Sequence, residues 1–322
     1  MKKIAILAPE TAVPAAIVDP RYMFTAVNQF LTSTGKPALF EVSLVGATPT
    51  VPLNDGLFTI HPDQTLDAGT QFDLVFIPAI SGDIPTAVQR NQALIPWVKK
   101  QYEGGAEVAS LCIGAFLLAS TGLLNGRQCS THWLFAREFR QMFPEVELVD
   151  GSIITEGPRL YSSGGASSYW NLLLYLVEKY TSRDMAILAS KFFAIDIDRN
   201  SQSAFMMFQG QKDHNDPEIR HAQEFIEQHV NEKITVEQLA EHAAIGKRSF
   251  ERRFKNATNN TVLEYIQRVK MEAAKRKFEN SRLNVQEVMM DVGYTDTKAF
   301  RDVFKKITGL TPIEYRNKYQ KV

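Results

Sequence analysis

A cysteine at the end of an apolar run is the strongest candidate for covalent chemistry in this sequence. Residues 108–112 are typical of a strand that ends at Cys112, and a helical pattern opens directly after it with Ile113 and Gly114. A thiol at such a turn lies near a helix N-terminus, which lowers its pKa and favours the thiolate. His132 follows later in the chain as a candidate base. The pattern is equally typical of a buried structural cysteine.

Basic residues are concentrated at the other end of the chain. The 322 residues include 36 Lys+Arg and 36 Asp+Glu, so the formal net charge is zero. Residues 247–322 contain 18 basic and 9 acidic residues, whereas residues 1–210 contain 15 and 19. A basic segment in a neutral chain predicts that this end binds a polyanion.

The basic segment contains an internal repeat. Shifting residues 250–265 by fifty positions gives seven identities in sixteen, and a shift of 49 aligns residues 239–244 with 288–293. Each copy is typical of a short helix, a turn with small residues and a second helix with Phe at i and i+4, which is a helix-turn-helix. The second copy has one extra residue in its turn.

The second helix of each copy is the candidate recognition helix, because such a helix fits the DNA major groove, which is about 12 Å wide. Its outward residues in the first copy are predicted to be Lys247, Arg248, Ser249, Glu251 and Arg252. In the second copy they are Thr297, Lys298 and Arg301, after Asp296 as the N-cap. A helix joins the copies, and its basic residues are expected to add positive surface: Arg268, Lys270, Lys275, Arg276 and Lys277. The alternative is a plain helical bundle with solvated charges.

The order of patterns predicts two domains. Residues 1–195 alternate strand-like and helix-like segments, which favours an α/β domain with a doubly wound, mostly parallel sheet. Residues 196–216 are polar and form the predicted linker. Residues 217–322 are predicted to be all-α, with helix-turn-helix motifs near 236–257 and 285–307.

Composition excludes several classes of protein and site. Cys112 and Cys129 are the only cysteines, which excludes a disulfide framework and a Cys-rich zinc site, and we expect no metal and no cofactor. The apolar run at the N-terminus is too short for an export signal, and no apolar stretch is long enough to span a membrane. We therefore expect a cytoplasmic protein without a membrane partner.

Two segments of the C-terminal part, ITVEQLAEHAAIGKRSFERRFKNATNN and VQEVMMDVGYTDTKAFRDVFKKITGLTPIEYR, closely resemble the AraC-type DNA-binding domain over about residues 219–320. The resemblance implies two motifs that enter successive major-groove segments on one face of DNA. It implies base or phosphate contacts for Arg248, Glu251, Arg252, Thr297, Lys298 and Arg301. Asp302 departs from the family, because it occupies the position of Arg252 in the F-x-R-x-F pattern. The second motif is therefore expected to bind more weakly or to depend on Arg301.

The N-terminal part contains C-x-G-A-x-x-L-A-x-x-G-L-L-x-G-R, T-H-W and LYSSGGASSYWNLLLYLVE. It resembles the PfpI/ThiJ-like superfamily, and more narrowly the sensor domains of GlxA-like regulators, over about residues 1–195. The resemblance implies a flavodoxin-like fold related to class I glutamine amidotransferases. In catalytic relatives an acid near the end of the first strand supports the cysteine, but Ala15 and Ala16 align there in this chain. Because a nucleophile needs an oriented base, the missing acid disfavours catalysis.

The same region predicts a ligand cleft at the carboxyl ends of the strands. Backbone N–H groups at Ile113 and Gly114 suit an anionic group. The candidate ligand-binding residues are Cys112, Ile113, Gly114, His132, Asp83, Ser163 and Gly164, the serine and Gly164 by resemblance. For Asp83 and the segment at Ser163, a plain loop role is an open alternative.

We interpret the chain as a DNA-binding transcriptional regulator whose N-terminal domain senses a small polar metabolite and forms a homodimer. Its expected partners are a double-stranded DNA operator, RNA polymerase and an effector, which the resemblance suggests is nitrogen-containing. Two alternatives stay open. One is a cysteine-dependent hydrolase, amidase-like or glyoxalase-like enzyme that carries a DNA-binding domain. The other is a dimerisation scaffold that senses nothing.

Overall fold

A computed structural model describes residues 1–198, 201–212 and 214–320 of the chain. Within these residues, no helix combines the length and the apolar character needed to cross a membrane.

The chain divides into two units, Met1–Gln202 and Ser203–Val322. Their boundary lies inside the predicted linker, residues 196–216. Part of that linker lies outside the described residues, namely positions 199, 200 and 213.

The first unit is built on a mostly parallel sheet. Its strands are β1 Lys2–Ala8, β2 Phe40–Gly46, β3 Val51–Leu53, β4 Phe58–Ile60, β5 Gln64–Thr65, β6 Leu74–Ile77, β7 Glu107–Leu111, β8 Gln128–Cys129, β9 Glu147–Leu148, β10 Ile154–Gly157 and β11 Leu160–Ser163. Among the described residues, seven of them form one sheet in the order β10-β11-β7-β6-β1-β2-β5. Neighbours pair in parallel except at the edge, where β10 runs antiparallel to β11.

Helices cover both faces of this sheet. They are α1 Pro14–Ser33, α2 Ile84–Arg90, α3 Leu94–Glu103, α4 Ala115–Ser120, α5 Ala136–Met142, α6 Tyr169–Tyr180 and α7 Arg183–Phe193. Alternate residues of β1 point to opposite faces, so Ile4 and Ile6 join the core under α1, α6 and α7, whereas Ala5 and Leu7 join the core under α2 to α5. A central strand that is apolar on both sides produces this doubly wound arrangement, and the predicted fold class is confirmed.

The second unit is helical in its described residues after a short 3₁₀ turn at Ser203–Phe205. Its helices are α8 Pro217–Gln228, α9 Val236–His242, α10 Lys247–Thr258, α11 Val262–Asn280, α12 Val285–Asp291, α13 Thr297–Thr308 and α14 Pro312–Tyr319. The repeat is confirmed, because α9 and α12 start 49 residues apart, whereas α10 and α13 start 50 apart. The turns also match: Ala244 and Gly293 both have positive φ, 51° and 72°. The extra residue of the second copy follows that position.

The long helix α11 contributes to two separate cores. Its first half packs with Phe250 and Phe254 of α10, and its second half packs with Phe300 and Phe304 of α13. These four phenylalanines are fully buried, as the i, i+4 spacing predicts.

The expectation that all basic residues of α11 add positive surface is wrong for two of them. Lys270 and Lys275 are buried. Lys270 donates to three backbone carbonyls, and Lys275 pairs with Glu272. Spacing alone did not reveal this, because both lysines lie on the side of α11 that packs against other segments.

Candidate ligand site and nucleic-acid interface

Cys112 occupies a strained turn directly after β7. Its φ is +54°, a left-handed conformation that is uncommon for a residue with a side chain. The next turn is closely packed, because a Cβ on Gly114 would lie 2.5 Å from the carbonyl oxygens of Ile77 and Pro78. Glycine is therefore required at 114, and the strand-to-helix turn expected from the sequence is present.

Burial determines the protonation state of the Cys112 thiol. Cys112 is 3% exposed, and burial raises its pKa to about 12 although the backbone N–H of Ile113 opposes the shift. The expectation of a lowered thiol pKa is therefore wrong. Desolvation of a thiolate outweighs the effect of a single turn of backbone N–H groups.

The walls around Cys112 come from β11 and from the loop before α5. Ser163 lies beside Leu111 in the parallel pair of β7 and β11, and its Oγ accepts from the Cys112 N–H at 3.4 Å. Thr131 Oγ1 donates to the Cys112 carbonyl at 3.2 Å. The structure thus places the predicted Ser163 at the cysteine, together with Thr131, which was not among the predicted ligand-binding residues although it belongs to the T-H-W motif.

His132 follows Thr131, but its side chain is hydrogen-bonded to the local backbone. Its Nδ1 accepts from the Leu134 N–H at 3.2 Å, and its ring stacks on Trp133 with centroids 5.6 Å apart. Burial lowers the pKa of His132. A neutral imidazole whose Nδ1 is engaged in this way is poorly placed to take a proton from Cys112.

Asp83 caps a helix. Its Oδ2 accepts from the Thr86 N–H at 3.1 Å and from Thr86 Oγ1 at 2.6 Å, and these bonds lower its pKa. This is the plain loop role that the sequence left open for Asp83.

One acid close to Ala15 and Ala16 in the sequence, Asp19, is hydrogen-bonded to a residue of the core cluster that contains Cys112, although its register in the sequence does not match the supporting acid of catalytic relatives. Asp19 lies on α1 one turn beyond Ala16, which is completely buried. The Tyr169 hydroxyl donates to Asp19 Oδ2 at 2.6 Å, and Tyr169 belongs to the same core cluster as Cys112. Burial raises the pKa of Asp19. The signal available beforehand was that Asp19 is the one acidic residue in the α1 sequence.

The predicted DNA-facing residues are exposed on α10 and α13. This holds for Lys247, Arg248, Glu251, Arg252, Thr297, Lys298 and Arg301. The predicted N-cap of α13 is confirmed, because Asp296 accepts from the Ala299 N–H at 2.7 Å. Lys247 forms an ion pair with Glu237 of the preceding helix.

Helical geometry refines which side chains face away from the core. Opposite Phe250 and Phe254, the first copy presents Arg248, Arg252 and Lys255 at i, i+4 and i+7. The second copy presents Lys298, Asp302 and Lys305 at the same three places. Lys255 and Lys305 were not among the predicted residues, although their shared position in the repeat could have revealed them. Arg301 occupies the same repeat position as Glu251, at the edge of this outward face.

Comparisons with known proteins agree with both halves. The DJ-1/PfpI family model matches residues 2–179, and a helix-turn-helix domain model matches residues 239–318. The chain is similar to the HTH-type transcriptional regulator GbdR of Pseudomonas aeruginosa, with 24% identity over 82% of this chain and 71% of the relative. It is also similar to the HTH-type transcriptional regulator GlxA of Rhizobium meliloti, with 22% identity over 88% and 87%.

A solved structure supports the fold of the first unit. It is a putative transcriptional regulator protein from Vibrio parahaemolyticus, with a TM-score of 0.53, 21% identity and coverage of 59% of this chain and 98% of that one. The match of the DJ-1/PfpI model to more than half of the chain shows the family. The chain is thus a member of the DJ-1/PfpI family joined to an AraC-type helix-turn-helix domain, an AraC-family transcriptional regulator of the GlxA-like type.

Proposed function

We propose that this regulator binds specific double-stranded DNA sites through α10 and α13, and that a small polar metabolite bound in its first unit controls that binding. The observation that carries the proposal is the repeated pair of helices. Each is anchored by two buried phenylalanines and presents exposed basic side chains on its opposite face. Two such helices in one unit are suited to read two segments of a major groove.

The first unit is proposed as a sensor rather than an enzyme. Burial keeps the Cys112 thiol protonated, and His132 Nδ1 is engaged by the Leu134 N–H. Asp19 is bonded to Tyr169. These three observations favour a site that binds without covalent chemistry, and the names of the relatives, which are transcriptional regulators, point the same way.

The active form is proposed to be a homodimer that acts with RNA polymerase. Two DNA-binding units in one particle gain affinity from effective concentration, which compensates for a weaker second motif. Asp302 supplies the reason for that weakness, because its carboxylate faces outward where the first motif has Arg252.

The test begins with duplexes selected from a random pool by the full-length protein. On the best selected duplex, Arg252→Ala is expected to raise Kd by about 5- to 150-fold, or about 1–3 kcal/mol, because Arg252 faces away from the core and reads a base. Asp302→Arg is expected to lower Kd, since it adds a phosphate contact in the second motif. Kd is measured by fluorescence anisotropy at one fixed salt concentration.

Lys36→Ala is the matched control for charge. Lys36 is exposed in the first unit, so its removal changes the net charge as Arg252→Ala does without touching α10. Sedimentation of the complex counts the chains on each duplex and tests the homodimer. Failure to enrich any duplex, or equal Kd values for Arg252→Ala and Lys36→Ala, would contradict the proposal.

A further inference from the structure

The chain leaves the first unit through a residue that is packed beside the candidate ligand site. Gln202 is 2% exposed. Its Oε1 accepts from the Trp133 N–H at 3.3 Å, and its Nε2 donates to the Thr131 carbonyl at 3.0 Å. One amide therefore fixes the backbone on both sides of His132.

The same amide contacts two other segments. Nε2 also donates to the Ser152 carbonyl at 3.0 Å, and the Gln202 backbone N–H donates to Gly151 at 2.8 Å. A Cβ on Gly164 would overlap Nε2, so Gln202 lies directly against the wall that continues from Ser163. Gln202 thus connects the loop at Thr131 with the segment that follows β11.

The residues that follow Gln202 are fixed to the DNA-binding unit. We call residues 204–211 the strap. At its start, Tyr319 of α14 donates to the Ala204 carbonyl at 3.4 Å, and Lys318 Nζ lies 4.7 Å from the centroid of the Phe205 ring. The start of the strap is therefore attached to α14, the helix after the second motif, and the turn at Ser203–Phe205 packs against α13 of that motif.

A buried ion pair on α11 holds the middle of the strap. Glu272 and Lys275 are 8% and 4% exposed and lie 2.8 Å apart. Lys275 Nζ donates to the Met206 carbonyl at 2.5 Å, and the Phe208 N–H donates to Glu272 Oε2 at 3.1 Å. A buried pair needs such additional hydrogen bonds to be stable, and the strap backbone supplies them.

The end of the strap is attached to the core of the first motif, because Phe208 packs against the cluster that contains Phe250 and Phe254. The Phe208 ring lies edge-on to Tyr265 with centroids 5.1 Å apart. Gln223 Nε2 donates to the Gln211 carbonyl at 2.9 Å, and Asn260 Nδ2 donates to Gln211 Oε1 at 3.1 Å. The strap and the turn before it therefore pack beside both motifs, against the core of the first and against α13 of the second.

We infer that Gln202 and the strap are the coupling element of this regulator. One end is hydrogen-bonded beside the candidate ligand site, and the other is hydrogen-bonded to α8, α11 and α14, the helices that flank the two motifs. A ligand that moves the backbone at Thr131 or Gly164 changes the hydrogen bonds of Gln202 and acts on the strap through the chain itself. This inference rests on the proposed function, because it assigns the route by which the proposed sensor alters DNA binding.

The test breaks the bonds of Gln202 without any ligand. In the full-length protein, Gln202→Ala is expected to change Kd for the selected duplex by at least about fivefold, a typical coupling between linked sites. Amide hydrogen exchange at Trp133 should become faster in this variant, which reports that the bond has been lost. Gln202→Glu is the second variant, because it keeps the acceptor for Trp133 but loses both donated bonds.

Gly164→Ala disturbs the contact between Gly164 and Gln202 from the side of Gly164. Its methyl group would overlap the Gln202 amide and would also lie 2.6 Å from the Thr131 carbonyl oxygen, so it should change Kd in the same direction. Its effect should shrink, but not vanish, when Gln202 is already alanine. Gly157→Ala is the control, since the nearest atom to a Cβ there lies 3.9 Å away. Kd values within twofold of wild type for the Gln202 and Gly164 variants, with fast exchange at Trp133, would overturn the inference. Selective DNA binding by all of these proteins would leave the proposed function intact, whereas loss of selectivity in wild type would remove the function itself.

Discussion

At the scale of single residues, Cys112 combines a strained backbone with a protonated side chain. A left-handed conformation costs a residue with a side chain about 1–3 kcal/mol and persists where its surroundings determine it. Here the surroundings are Ser163 and Thr131, which bond to its backbone N–H and carbonyl, and the close packing at Gly114. The strained turn is therefore held in place by its neighbours, and it does not lower the pKa of the Cys112 thiol.

Cys112 is accordingly expected to be unreactive at neutral pH. In a Cys129→Ser background, alkylation by iodoacetamide at pH 7.5 should be at least about a thousandfold slower than that of a free thiol, because the pKa of about 12 leaves very little thiolate. The rate should rise about tenfold for each pH unit up to pH 9, since the thiolate fraction rises by that factor. Mass spectrometry gives the rate.

Unfolding in guanidinium chloride is the control for this experiment, because it should restore ordinary thiol reactivity. Fast labelling that does not depend on pH between 7 and 9 would show a thiolate and would favour the enzyme alternative.

At the scale of secondary-structure elements, α11 connects the segment before the first motif to the second motif through Lys270. Its Nζ donates to the carbonyls of Val230 and Glu232, which precede the first motif, at 2.8 and 2.7 Å. It also donates to the carbonyl of Val292, at the end of α12, at 2.8 Å. Burial lowers the pKa of Lys270 to about 8, so the amine remains mostly charged at pH 7. One side chain therefore links the segment before the first motif to the second motif.

Lys270→Met is expected to lower the free energy of unfolding of the second unit by about 2–4 kcal/mol, because three carbonyls lose their donor in a buried place. Lys277→Met is the matched control on the same helix. Lys277 pairs with Asp291 at the surface, so its loss should cost less than about 1 kcal/mol. Calorimetry of the full-length protein measures both, and equal small effects would show that the hydrogen bonds of Lys270 do not stabilise the second unit.

The elements differ in how far the sequence could predict them. The repeat, the cap at Asp296 and the buried phenylalanines followed from local spacing, because helix caps and amphipathic faces are local properties. The strap did not follow from local spacing. Residues 204–211 show no strong hydrophobic periodicity, and their partners Glu272 and Gln223 are distant in sequence. The same reason explains the hydrogen bond between Asp19 and Tyr169, which joins residues 150 positions apart.

At the scale of the whole molecule, the residues on either side of the boundary between the two units are each hydrogen-bonded within their own unit. Gln202 is bonded within the first unit, and Ala204 is bonded within the second. A regulator built in this way can convert a small local change into altered DNA binding, provided that its first unit binds a ligand. That condition separates the sensor from the scaffold.

A thermal-shift screen of the full-length protein against amino acids, amines and small carboxylates tests this condition. At a ligand concentration of about 100 Kd, binding to the folded state adds about 2.7 kcal/mol, which raises the melting temperature of a unit of this size by roughly 5–10 °C. For a compound that binds at the candidate ligand site, Cys112→Ala should reduce the thermal shift, whereas Cys129→Ala should not. The two cysteines are equally buried but belong to different cores, on opposite faces of the sheet, so the pair separates loss of a ligand contact from loss of packing. If both variants reduce the thermal shift equally, the reduction reflects lost stability and not a lost ligand contact. If no compound gives a shift, the scaffold is favoured, because a sensor must bind its effector in the folded state.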